Sequence, residues 1–533
     1  MDDKSLTEIR AYHDRTKHSS RRYALGPASL DWDSQADPFR RFDGARRVPL
    51  PLGLDRPTPG FDRLDRVEPA ALDAAALGLF LELALGLSAW KEAGGGRWAL
   101  RNNPSSGNLH PTEGWVVLPP LAGIGDGPAL YHYAPPFNGL EERCRLERLP
   151  AALPPGAFLL ALSSIPWREA WKYGERAFRY CQHDAGHALA AAAYAGACLG
   201  WRVRALTGPG DETVTRLLGL GRADAGHPHE AEHPDLIAVV SPTPLGEITL
   251  EPVSGEWFGA ANRLSGDHEP WPAVDRALVV SHRPETQPPS PLSVVMPDLP
   301  ASDEAAGAII RRRRSAQRMD GVSGMTQAAF RRLLARTLPD AERVPWGSFP
   351  WPARLALVLF VHRVEGLAPG LYVLIRDPDS FERLRRACGG DFAWERVAGD
   401  QLPLYLLRAG DLRQSAAHLS CQQAIAGQGA FSLGMLADFD RTLAADGAWA
   451  YRRLFWEAGM IGQVLYLEAT AAGLAGTGIG CYHDDEVHDL LGLTAGDTAW
   501  QSLYHFTVGS ALEDGRIATA PAYAHLSVSS QRP

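Results

Sequence analysis

The chain has 533 residues, 45% apolar and 22% charged, enough apolar material to build cores over most of its length, which excludes general disorder. Lys and Arg number 53 against 62 Asp and Glu, a formal charge of -9, which excludes a global basic footprint for nucleic acid. The longest charge-free apolar run, between Asp184 and Arg202, is too short to span a bilayer comfortably, so no membrane segment is expected.

From the start, Met1 to Leu6 is charged and lacks a signal-peptide core. Cys144, Cys181, Cys198, Cys388, Cys421 and Cys481 form no Cys-x-x-Cys pair, so a cytoplasmic protein with reduced thiols is expected. Asn103-Pro-Ser-Ser-Gly-Asn108-Leu-His-Pro111 is a dense turn, able to present hydroxyls and backbone amides to a polar planar ligand. Residues 129–133 read as a strand. Residues 184–200 run Asp-Ala-Gly-His, then an Ala-rich stretch, then Leu199-Gly200: an apolar helix with Gly suited to its C′ position. A helix apolar nearly all round belongs at the centre of a domain or of a contact between domains. His183 and His187 stand one turn apart, like the pair of a zinc-binding His-Glu-x-x-His. Asp replaces Glu and no third ligand is specified, so no metal is expected there. His227, His229 and His233 read as a solvated loop.

Pro284, Pro288, Pro289, Pro291, Pro297 and Pro300 mark an extended linker. The expected division is 1–265, a linker at 266–304, and 305–533. The second part opens with Arg311-Arg-Arg-Arg-Ser315-Ala-Gln317-Arg318, whose guanidinium forks and hydroxyl suit phosphate oxygens. Residues 370–374 repeat the earlier strand. Residues 457–473 run Glu-Ala-Gly-Met, an apolar stretch, then Ala472-Gly473, offset from 184–200 by 273 (457 − 184 and 473 − 200). Arg179 and Arg452 keep that offset, which points to an α+β domain occurring twice. His483-Asp-Asp-Glu486 and His488 read as a helix start rich in capping acids. Cys481 lacks a His/Asn framework and reads as a small residue rather than a nucleophile.

These motifs together resemble the nitroreductase-like flavoproteins, specifically the SagB/ThcOx-type dehydrogenases in a tandem-fused form. Tyr12-His13, Thr16 to Ser19, Leu30-Asp31-Trp32 and Pro38-Phe39-Arg40 are similar to the family's N-terminal region. Asn103 to Pro111 is similar to its Pro-Ser-Ser-x-Asn flavin loop, and Trp171 to Tyr180 with Asp184 to His187 to the lead into its central helix. The resemblance implies two fused nitroreductase-like domains, each a mixed sheet flanked by helices around a central apolar helix, forming an intramolecular pseudo-dimer. It implies FMN in the cleft between them. Pro104, Ser105, Ser106 and Asn108 would lie on the ring system, and Arg313, Arg314 and Ser315 on the phosphate. Gln317 stands where the family often has a cation near the ring's pyrimidine edge. Gly478 and Gly480 would let the backbone approach the ring, and Arg516 would return to the phosphate. The Arg motif is clear only in the second half and the Ser-rich loop only in the first, so one FMN per chain is expected.

Lys172 and Tyr173 resemble the Lys-Tyr pair that azoline-oxidising members use for proton handling. The implied activity removes a proton and hydride from a small-molecule or modified-peptide substrate such as an azoline, with O₂ reoxidising the flavin. The alternatives are an NAD(P)H-dependent nitro or quinone reductase, or a flavin-less scaffold in a peptide-modifying complex. The chain is expected as a monomer or a homodimer, with no nucleic-acid or membrane partner.

Overall fold

Helices Ala177–Ala197 and Ala450–Ala471 cross at the centre of the molecule, buried almost end to end. In the computed structural model, residues 3–244, 248–286, 302–398, 401–494 and 498–529 are described. Because both helices are apolar nearly all round, each needs cover on every face, and each gains part of it from the other. At the crossing a Cβ on Gly186 would run into the Trp456 carbonyl, and one on Gly459 into the His183 carbonyl. These glycines stand 273 apart (459 − 186), so the repeated Ala-Gly pair is where the two backbones touch.

Each half contributes a sheet. In chain order the first holds Thr112–Leu118, Ala129–Ala134, Gly139–Leu146, Phe158–Ser164, Arg202–Ala205 and His233–Ser241. The second holds Leu355–Val361, Gly370–Leu374, Leu404–Ala409, Phe431–Asp438, Ala475–Ile479 and Trp500–Gly509. Both are laid out third, second, first, fourth, sixth, fifth, with the central helix joining the fourth strand to the fifth. The expected α+β pseudo-dimer is therefore present. The expected mixing of strand directions is not found: every pair within these two sheets is antiparallel among the described residues.

The halves exchange their ends. Helix Asp3–Arg15 lies on the second half, with Arg10 Nε 2.9 Å from Asp440 and His13 Nε2 3.0 Å from Gln501 Oε1. Strand Ala518–Pro521 in turn extends the first half's hairpin, Leu87–Ala93 with Gly96–Arg101. Two buried ion pairs tie the halves reciprocally: Arg179 to Asp484 at 2.7 Å and Arg452 to Asp211 at 2.5 Å. Both acids start eight-residue helices, Asp211–Leu218 and Asp484–Leu491, and they too are 273 apart (484 − 211).

Part of the segment expected as linker is ordered. Pro272–Val280 is a helix with Val274 and Ala277 buried, while residues 287–301, with Pro288, Pro289, Pro291, Pro297 and Pro300, lie outside the described residues. No helix among the described residues is long and apolar enough to cross a membrane. All six cysteines are free.

Candidate functional site

Helix Ala306–Arg312 ends at Arg313, whose φ of -50° and ψ of 129° turn the chain into an extended course. Ser315 then pairs in parallel with Gly476, and the Ala316 N–H donates to the Gly476 carbonyl at 2.9 Å. This threads the arginine motif between the halves. Arg313 is 3% exposed. Its Nε donates to the Asn102 carbonyl at 3.2 Å and its Nη2 to the Arg101 carbonyl at 3.0 Å, with the Tyr466 ring 5.0 Å away. Its Nη1 is buried without a hydrogen-bond partner. Arg314 donates to the Arg311, Arg313 and Ser88 carbonyls. Among the described residues neither guanidinium has a carboxylate partner. Burial pulls both down, and burial with the neighbouring Arg313 charge brings Arg314 to about 10. Lys91 is lowered by the same two causes, burial and then Arg314. A buried charge left unpaired is costly, so this group of cations calls for an anion.

The opposite wall is the loop after strand Gly96–Arg101. Gly107 and Asn108 have φ of 59° and 61°, the left-handed region where Gly is free and Asn is tolerated. Ser105 Oγ accepts the His110 N–H at 2.8 Å, and Asn108 Nδ2 donates to the Ala99 carbonyl at 2.8 Å. The Ser106 N–H and hydroxyl donate to Asp184 on the first central helix, at 3.2 and 3.4 Å. A Cβ on Gly107 would lie 2.5 Å from the Tyr173 hydroxyl, so the loop and Tyr173 are packed together.

Tyr173 and Lys172 end helix Pro166–Tyr173. The Tyr173 ring meets Tyr180 edge-on at 4.7 Å, and the Tyr180 hydroxyl donates to the Gly480 carbonyl at 3.2 Å, so these tyrosines bridge the loop and the glycine strand. Lys172 is half-buried with Nζ 5.3 Å from the Tyr173 ring. Glu175 is instead paired with Arg15 at 2.5 Å. Glu169 is fully buried; burial first and the Asp184 charge second hold it well above the usual carboxylate range. Burial raises Asp184 as well.

These walls enclose a cavity of about 750 Å³, within the range of sites for organic cofactors. Of the residues expected from sequence, it is lined by Pro104, Ser105, Ser106, Asn108, Tyr173, Arg313, Arg314, Ser315, Gln317, Gly478 and Gly480. Lys172 stands behind Tyr173 and is not on the lining. Arg516 is not brought to the cleft: its side chain is 87% exposed and held by Asp514 at 2.6 Å. The glycines also have a different reason from the one expected. A Cβ on Gly478 or Gly480 would collide with Tyr504 or Tyr180, so they make room for aromatic walls. Ser315 Oγ lies 2.8 Å from the Tyr466 hydroxyl, which accepts the Gly478 N–H at 2.9 Å. His183 Nε2 lies 3.0 Å from the Leu503 carbonyl and His187 Nε2 3.2 Å from the Tyr504 hydroxyl, and His187 is on the lining.

Sequence reading missed Asp184, Tyr466 and Tyr504 in the lining, and Glu169 beside it. Asp184 left one legible signal, an acid within a helix whose following run is apolar, which burial forces to find donors.

Residues 310–510 match the Nitroreductase family. No curated protein sequence matches the chain. Among solved structures, a candidate nitroreductase from Anabaena variabilis aligns with a TM-score of 0.68 at 19% identity, covering 95% of this chain and 99% of that one. A second, from Ralstonia eutropha, aligns at 16% identity and a TM-score of 0.26, covering 39% and 82%. The E. coli microcin synthetase McbBCD complex, with truncated pro-MccB17 bound, aligns at 16% identity and a TM-score of 0.26, covering 46% and 95%. The first of these extends over both halves and establishes a nitroreductase-like fold for the chain.

Proposed function

We propose that this protein is an FMN-dependent oxidoreductase of the SagB/ThcOx dehydrogenase type, holding one FMN between its halves. The observation that carries this reading is the Arg313–Arg314 pair, a buried and a half-buried cation without a carboxylate, the buried one with an orphaned Nη1, at one side of a 750 Å³ cleft. A phosphate would meet that demand through a charge-assisted fork, with Ser315 adding a hydroxyl. Pro104 to Asn108 and the strand holding Gly478 and Gly480 would take the planar ring system, with the walls of Tyr173, Tyr180 and Tyr504 excluding water.

FMN held there by Arg313, Arg314 and Ser315 would supply a hydride acceptor that O₂ can reoxidise. The Tyr173 hydroxyl, on the cavity wall, would orient the substrate, and Lys172, whose Nζ lies 5.3 Å from the Tyr173 ring, would receive the substrate proton through it. Glu169 and Asp184, held toward their neutral forms, keep negative charge away from that wall. An azoline in a modified peptide is the substrate class tested first.

The test is the visible spectrum of freshly purified protein and the mass of its extracted cofactor, before and after Arg313→Ala. One FMN per chain is expected. Losing one charged contact, about 1.5–3 kcal/mol, weakens binding by one to two decades. Full flavin occupancy in the variant would overturn the phosphate assignment. A flavin bleached by NADPH within seconds, but not by an azoline peptide, would replace the dehydrogenase by a reductase.

A further inference from the structure

Just beyond the rim of the cleft, three side chains from different places in the sequence converge. His418 closes helix Arg413–Leu419, His483 precedes helix Asp484–Leu491, and Glu486 lies in that helix's first turn. Their ligand atoms all lie within 4.8 Å of one another. His418 Nε2 is 2.7 Å and His483 Nδ1 3.0 Å from the same carboxylate oxygen, Glu486 Oε2. Neither approach has hydrogen-bond geometry, and Glu486 Oε2 has no hydrogen-bond partner. His483 is only 1% exposed, yet neither of its ring nitrogens is hydrogen-bonded. An imidazole buried with both nitrogens unsatisfied is unusual, because each such atom forfeits its hydration. A shared cation satisfies all three groups at once.

We propose that His418, His483 and Glu486 bind one divalent transition-metal ion of the zinc class, with a coordination position left open. Two imidazoles and a carboxylate are the borderline donors such ions select, and three protein ligands with a fourth position open is the exchangeable form of zinc site. Bonds of about 2.0–2.1 Å in a tetrahedron place donors about 3.3 Å apart, between the observed 2.7 and 3.0 Å contacts to Glu486 and the 4.8 Å that bounds the whole group. The outer contacts are also present. The Gln422 side-chain amide lies 2.7 Å from His418 Nδ1; with the amide oxygen turned to that atom it would accept the Nδ1 proton and leave Nε2 free for the ion. The Ser20 N–H donates to Glu486 Oε1 at 2.6 Å, leaving Oε2 for the ion. The His418 side chain is 45% exposed, which provides entry and room for a water ligand.

Ser20 belongs to the first half and Glu486 to the second, so the ion would sit where the N-terminal segment is strapped to the second half. It would also lie next to the cleft: Cys481 and Gln423 line the cavity, and Gln423 Nε2 donates to the Cys481 carbonyl at 3.1 Å. The site stands on its own donor set and does not rest on the flavin reading. A second histidine group, His227, His229 and His268, stacks with ring centres 4.8 to 5.5 Å apart but is not among the converging ligand groups, so it serves as the internal control.

The experiment strips full-length protein with a chelator, removes the chelator, and titrates with zinc chloride by calorimetry. One zinc per chain is expected. Gln422→Ala should weaken it about 10–100-fold, the usual effect of losing an outer contact, and His418→Ala or Glu486→Gln by more than that. His227→Ala with His229→Ala should leave both stoichiometry and affinity unchanged. X-ray absorption of the zinc-loaded protein should show only nitrogen and oxygen neighbours, at about 2.0–2.1 Å. The proposal is overturned if stripped protein takes up no zinc, if His418→Ala binds it as the parent does, or if binding vanishes with the control pair. A sulfur shell near about 2.3 Å would also overturn it, moving the ion to Cys421 and Cys481. Should His418→Ala melt differently from its parent in chelator, His418→Gln and the absorption spectrum decide.

Discussion

Asp484→Asn is expected to destabilise the protein by about 3–5 kcal/mol, the range for removing one partner of a buried ion pair. Asp484 is fully buried. Its Oδ1 accepts Arg179 Nη1 at 2.7 Å, and its Oδ2 accepts Arg176 Nη1 at 3.1 Å and the His18 N–H at 3.0 Å. Asparagine keeps the shape, so no cavity opens, and the loss is the anion together with one of its two acceptor oxygens, whose place an NH2 donor takes. Two guanidiniums then remain in the interior without a counter-charge. A solvent-exposed pair would yield only about 0–1 kcal/mol, so the magnitude separates the two situations.

The assay is urea unfolding at neutral pH, read as midpoint and slope. Burial works to raise the Asp484 carboxyl, but Arg176 and Arg179 override it and hold the group far below the usual carboxylate range. A depressed folded-state value contributes stability above the unfolded value, about 3.9, and that stability is lost as pH falls toward the folded value. The gap between parent and variant should therefore narrow from pH 5 downward. A loss under about 1 kcal/mol at neutral pH, or a gap that widens toward acid, would refute the reasoning. The reciprocal variant, Asp211→Asn, removes the partner of Arg452 and should act in the same direction.

Gly186→Ala and Gly459→Ala each push a methyl into the facing helix's carbonyl and should cost about 1–3 kcal/mol or more by thermal melting, while Gly221→Ala, with open space around it, should be close to neutral. Asp184→Asn should stabilise the protein at pH 8 relative to pH 4. Burial raises the Asp184 carboxyl, and a raised acid loses stability as pH climbs past its unfolded value, so equal effects at both pH values would count against this. Lys172→Ala and Tyr173→Phe should keep the flavin and the melting point but slow single-turnover flavin reduction by two decades or more; parental rates in both would make the pair scaffolding.

The parts of this structure that sequence revealed are those carried by local pattern. The central helices, read at 184–200 and 457–473 and found at Ala177–Ala197 and Ala450–Ala471, showed themselves by apolar runs ending in Gly and by a common offset, and the same offset turns out to relate Gly186 to Gly459 and Asp211 to Asp484. Asp211 went unnoticed because an acid after Gly210 reads as an ordinary helix start, and nothing local says that its partner is Arg452. The exchanged ends were hidden for the same reason: the destination of helix Asp3–Arg15 is set by surface complementarity hundreds of residues away. At the site, both cavity-lining motifs were legible because each is a compact run, whereas Tyr466 and Tyr504 looked like core aromatics. His483 and Glu486 were read as a helix start, which they are, but His418 lies 65 residues earlier (483 − 418) and no spacing rule joins them. Arg516 matched by sequence position, but its closest anion is its neighbour Asp514.

The exchange of ends also imposes an order on synthesis. Helix Asp3–Arg15 is synthesised well before Asp440, Tyr451 and Gln501, the second-half side chains it meets. At about 5–20 residues per second, the wait from Arg15 to Gln501 is roughly half a minute to a minute and a half. Throughout that interval Tyr12 can already meet Glu175 and Phe178 of the first half, but Arg10 and His13 lack their second-half partners, and the first central helix lacks the one that will cross it. The nascent first half is thus a natural client for a chaperone, and its release is timed by the arrival of the second.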